Sequence, residues 1–224
     1  MNGYVVIYRE KWYIEFDRFA LRLATTICLF FLFLFTAFQI WKHTPVTGQY
    51  DSLISVHGTA YPGEIMLLQE QLSLLPEWVL EAYQKEGNLV YLSSVPLENL
   101  IDAEKRENTE RKVLGLHERE SGISCIWVLN TESAIEKATL HEFGHFIDHY
   151  FWKQSDREKF QKCYEQEKES FLEIDGNEHN ISTPTEYFAE SVLWYIKDPE
   201  KLEDNCPETY NYMHIIFLWG RIRT

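Results

Sequence analysis

Residues 141–145 read His141-Glu142-Phe143-Gly144-His145. Two histidines four apart on a helix point the same way, so their imidazoles can hold one Zn²⁺. Glu142 follows about 100° around the helix, close enough to reach a water on such a metal. The competing structural reading is a pair of hydrogen-bonded core histidines with a surface Glu between them. Asn130-Thr131-Glu132-Ser133 precedes the motif with helix-capping chemistry, and Ser133 with Glu136 fits a capping box. A helix is therefore expected from there to about Trp152.

A catalytic zinc needs a third protein ligand and one open position. Downstream, Thr185-Glu186-Tyr187-Phe188-Ala189-Glu190-Ser191 offers carboxylates at i and i+4 on a helix begun by Thr183-Pro184. One can bind metal while the other accepts a hydrogen bond from a ligand histidine. Glu186 also stands three residues after Thr183, the spacing of a capping box. Glu190 could be a solvated partner of its neighbours, and His149 competes as a ligand.

Upstream, Lys112–His117 and Gly122–Leu129 read as a hairpin around Glu118-Arg-Glu-Ser, and Asn88–Ser93 as another strand. Gly63–Glu86 reads as helix interrupted at Pro76, Asp156–Phe171 as a charged helix, and Ile101–Arg111 as a surface loop or helix. The aromatic tail Pro207–Trp219 is placed to close the core. The class expected is α+β, a small sheet packed on helices.

The 224 residues suit one medium domain plus an attachment, and a composition 45% hydrophobic and 25% charged excludes a disordered or repetitive chain. A net charge of −14 argues against nucleic acid as a partner. Leu23–Trp41 is a 19-residue run without a charge, and as a helix it would reach about 28 Å against a hydrocarbon core of about 30 Å. Arg9, Lys11, Arg18 and Arg22 precede it, whereas Lys42 is the only Lys or Arg after it before Lys85. The positive-inside bias then predicts a cytoplasmic tail 1–22, a single-pass transmembrane helix 23–41, a stalk 42–61 and an extracellular domain 62–224 at the cell membrane. Beyond residue 43 the chain carries 16 basic and 32 acidic residues, which does not suit an anionic-lipid surface. Cys125, Cys163 and Cys206, outside that run, allow at most one internal disulfide.

His141-Glu-Phe-Gly-His-Phe-Ile-Asp148, followed by Glu186-Tyr-Phe-Ala-Glu190, resembles the anthrax toxin lethal factor-like and Pro-Pro endopeptidase family of zinc metallopeptidases. The similarity covers roughly Leu75 to Tyr212 and is concentrated at the two motifs. It implies a zincin-like domain with one Zn²⁺ on His141, His145 and Glu186. It further implies Glu142 as general base, Glu190 as the partner of a ligand histidine, and a cleft lined by the strand near Ile123–Leu129. The family's oxyanion-stabilising Tyr falls where this chain has His179, which can donate a hydrogen bond or can be a surface-loop residue. The expected function is a membrane-anchored zinc endopeptidase acting on extracellular or cell-surface polypeptides. The alternative is a catalytically degenerate, zinc-binding, anchored interaction module.

Overall fold

Short strands need partners before they are stable, and four of them find one another here. The computed structural model describes residues 23–27, 29–32, 50–99, 113–120 and 123–223. Strand β1 (Ile54–His57) runs parallel to β2 (Leu89–Ser93), and β2 runs parallel to β4 (Ile123–Leu129). Strand β3 (Gly115–Glu120) turns back antiparallel onto β4, giving the order β1-β2-β4-β3. Val90, Leu92, Ile126 and Val128 form the fully buried face of this sheet, as the two-residue side-chain period requires. On the other face Tyr91 stacks on Trp127 with ring centroids 4.2 Å apart.

Helices cover the buried face. Pro76 separates α1 (Pro62–Ser73) from α2 (Glu77–Lys85), the break expected of a residue without an amide proton. Helix α3 (Glu132–Tyr150) lies across β3 and β4 and packs on α1. Its cap is Thr131, whose Oγ1 accepts from Ala134 N, rather than the expected Ser133–Glu136 box. Helix α4 (Glu158–Asp175) continues a turn beyond the expected Phe171 and stops at Gly176, whose φ of 71° suits a residue lacking Cβ. Helix α5 (Pro184–Lys197) packs along α3, followed by α6 (Pro199–Asn205) and α7 (Pro207–Arg223). The tail does close the core, with Tyr212, Met213, Ile216 and Phe217 buried.

Two expectations differ from this architecture. Strand β1 falls within residues expected as a stalk, and Val46–Thr224 forms one compact unit, Met1–Pro45 another. Glu118, Arg119 and Glu120, expected in the turn, continue β3, pairing with Cys125, Ser124 and Ile123. Because β4 is hydrogen-bonded on both sides, it is interior; among the described residues β3 is the edge beside the helix.

The single-pass membrane assignment is corrected. No helix among the described residues is long and apolar enough to cross a membrane. The described parts of the apolar run, 23–27 and 29–32, are helical but together rise only about 14 Å, under half the core thickness. The cell-membrane location, with cytoplasmic N-terminus and extracellular catalytic domain, has no spanning helix among the described residues to rest on. The expected tail 1–22, the remainder of 23–41, the first part of the stalk and Ile101–Arg111 lie outside the described residues. Cys125, Cys163 and Cys206 are free thiols.

Candidate metal centre

Helix α3 fixes the first two donors. Ile135, Leu140, Phe143 and Ile147 anchor it in the core, leaving His141 and His145 half-buried on the adjoining face. Helix α5 brings the third. Thr183 Oγ1 accepts from Glu186 N at 3.2 Å, so the backbone of Glu186 serves the cap while its side chain leaves for the histidines. Glu186 Oε2 lies 3.1 Å from His141 Nε2 and 3.7 Å from His145 Nε2. One ligand atom from each of His141, His145 and Glu186 lies within 4.8 Å of the others. Bonds of about 2.0–2.1 Å to a tetrahedral Zn²⁺ separate ligand atoms by about 3.3 Å. The two measured edges bracket that value, so these residues fit the ion. His149 stays outside the group, its Nδ1–H donating to the His145 carbonyl at 3.0 Å.

His141 Nδ1–H donates to Glu190 Oε2 at 2.8 Å. A carboxylate at Nδ1 fixes the neutral tautomer whose Nε2 lone pair faces the centre. Burial would lower the His141 pKa, but hydrogen bonds to Glu186 and Glu190 outweigh it and raise it to about 10. Burial would likewise raise Glu186, yet His141 and His145 hold it well below the usual carboxylate range. Without metal, the His141 imidazolium and the Glu186 carboxylate balance each other, and a cation held there would displace the proton on Nε2.

Glu142 is buried beside the edge strand. Burial raises its pKa, opposed by His141 and His145, reinforced by Glu186, and opposed again by a hydrogen bond from the His117 backbone N–H. Strand β3 admits it only because residue 115 lacks a side chain: a Cβ there would lie 2.6 Å from Glu142 Oε1 and 2.7 Å from Ala138 Cβ. His179 occupies an exposed position on the 3₁₀ turn Glu178–Ile181 ahead of α5, where its backbone N–H is held by Asn177 Oδ1 at 3.2 Å.

Further residues support the centre beyond its ligands and base. Asp148 is buried and accepts from Ser155 N at 2.7 Å and Ser155 Oγ at 2.6 Å. Ser155 Oγ in turn lies 3.4 Å from Thr185 Oγ1, next to Glu186, which ties the end of α3 to the start of α5. Asp175, at the end of α4, sits against Glu190; burial and the Glu190 charge push its pKa to about 6. The position of Asp148 directly behind the histidine motif was the one available signal; nothing in the sequence pattern marks Asp175.

Residues 50–216 match the family described as anthrax toxin lethal factor, N- and C-terminal domain. The solved structure of a Pro-Pro endopeptidase from Paenibacillus alvei is similar, with a TM-score of 0.58 and 21% identity. The alignment covers 74% of this chain and 98% of that one. At that identity the likeness speaks for the fold. No curated protein matches the chain.

Proposed function

The chain belongs to the anthrax toxin lethal factor family, and from that premise we propose that it is a zinc-dependent endopeptidase hydrolysing peptide bonds of polypeptides. The observation that carries the reading is the grouping of His141, His145 and Glu186 within 4.8 Å, with Glu142 on the same helical turn. His141, His145 and Glu186 hold the ion, and Glu190 orients His141. Zinc held there supplies Lewis acidity toward water and the scissile carbonyl. Glu142 takes the proton of the attacking water and passes it to the leaving amine. Burial raises its pKa, which makes its carboxylate a stronger base than an exposed one. His179 donates to the developing oxyanion from the turn ahead of α5.

The test is zinc content of the full-length chain together with cleavage of a peptide library, with and without chelator. One tightly held zinc per chain and chelator-sensitive cleavage are expected. A zinc-loaded chain that cleaves nothing would favour the second reading, a zinc-holding interaction module. The exposed placement of His179, where the family has Tyr, is the observation that favours that alternative.

A further inference from the structure

We propose that His117 and His149 form a second, weaker transition-metal site beside the first; this rests on the zinc reading of His141, His145 and Glu186. Four imidazoles meet between β3 and α3. The rings of His117 and His149 have centroids 5.4 Å apart at 48°, and His117 lies 6.3 Å from His145 in a near-parallel stack. Two imidazoles sharing one tetrahedral ion through bonds of about 2.0–2.1 Å have centroids about 5 Å apart. The primary pair, His141 and His145, stands at 4.9 Å, so the His117–His149 spacing is of the same kind.

The tautomer of His149 points the same way. Its Nδ1 lies 3.0 Å from the His145 carbonyl oxygen, which can only accept. The proton of the neutral ring is therefore on Nδ1, and Nε2 keeps its lone pair. An imidazole tied through one nitrogen to a backbone carbonyl is oriented for metal at the other. Both residues are half-buried. With two protein ligands against three, the site binds less tightly than the primary centre.

The location gives the site a consequence. His149 is one helical turn beyond His145, about 6 Å along α3, and His117 belongs to the edge strand that flanks Glu142. An ion there stands on the ground a polypeptide crosses to reach the centre, so excess zinc inhibits.

Calorimetric titration of the metal-free full-length chain with zinc tests this without knowledge of the substrate. Two equivalents are expected, the second at least roughly tenfold weaker as suits its smaller ligand set. His117→Ala and His149→Ala should each remove the second and leave the affinity of the first. Where cleavage is measured, His149→Ala should retain its rate at zinc concentrations that suppress the wild type. One equivalent in the wild type overturns the second site and leaves the primary centre standing, whereas none overturns both. A second equivalent that survives both substitutions also overturns the assignment.

Discussion

Gly144 lies directly against Ala189: a Cβ at Gly144 would be 2.6 Å from Ala189 Cα and 2.7 Å from its carbonyl oxygen. Both obstacles are backbone, which cannot rotate away. The contact lets α3 and α5 approach main chain to main chain, and the residues flanking it are His141, His145, Glu186 and Glu190. Glycine inside a helix costs roughly 0.5–1 kcal/mol relative to alanine, so the close approach outweighs an intrinsic penalty. Gly144→Ala should force the helices apart, destabilise the fold by about 1–3 kcal/mol as overpacked sites do, and weaken zinc binding at least tenfold. Denaturant unfolding and a zinc titration check it; unchanged zinc affinity would mean that the contact does not set the metal geometry.

Glu142→Gln should keep the fold and the zinc. The amide retains the shape that fits beside Gly115, but it cannot accept the water's proton. Cleavage should fall to near background while metal content stays at one per chain. A rate within a few-fold of wild type would remove Glu142 from the role of base.

How much of this was legible beforehand depended on whether a pattern was local. The His141–His145 spacing and the Thr183-Pro184 helix start are written within a few residues, and both stand in the structure as read. Strand β1 is four residues whose identity depends on pairing with β2, thirty-odd positions away, so it passed for a linker. The charges of Glu118, Arg119 and Glu120 suggested a turn, although charged side chains are how an edge strand discourages further pairing. Among Asn130, Thr131 and Ser133, three residues of capping type, only geometry could select Thr131. The contacts of Asp175 with Glu190 and of Asp148 with Ser155 are tertiary and carry no period. The apolar run 23–41 met the length and hydropathy of a span, yet no spanning helix stands among the described residues.

The two carboxylates of α5 are separable by substitution. Glu186→Gln should remove most zinc affinity, because Glu186 Oε2 is the atom set between both Nε2 atoms. Glu190→Gln should weaken affinity or activity by about 10–100-fold, the usual effect of altering the partner of a ligand histidine. If Glu190→Gln abolishes binding while Glu186→Gln spares it, their roles are reversed.

Asp175 makes the stability of the domain depend on pH. Its folded pKa is raised to about 6 by burial and by Glu190, above its value in the unfolded chain. Its contribution is thus fully present below about pH 4 and is lost as the pH rises through 6. Asp175→Asn cannot ionise and can still accept from Asn180 Nδ2, which donates to Asp175 Oδ2 at 3.0 Å. The variant should therefore gain stability relative to wild type between pH 4.5 and about 7.5, measured by unfolding both proteins in chelator. A difference that stays constant over that range would show that Asp175 does not titrate there.

His179 carries the most exposed of the proposed roles. It stands on the 3₁₀ turn that leads into α5, seven residues before Glu186, and its ring is open to solvent. An oxyanion donor need not be engaged before substrate arrives, since catalytic hydrogen bonds often tighten only in the complex. The turn is held at its base by the bond from the His179 backbone N–H to Asn177 Oδ1 and by the bond from Asn180 Nδ2 to Asp175 Oδ2, so the ring is carried on a fixed backbone. His179→Ala should cost about 10²–10³ in kcat, the usual loss for one oxyanion donor, with zinc content unchanged. His179→Tyr restores a donor of the family's type and should recover part of the rate. An Ala variant as active as wild type would return His179 to the surface, and the oxyanion would need another donor.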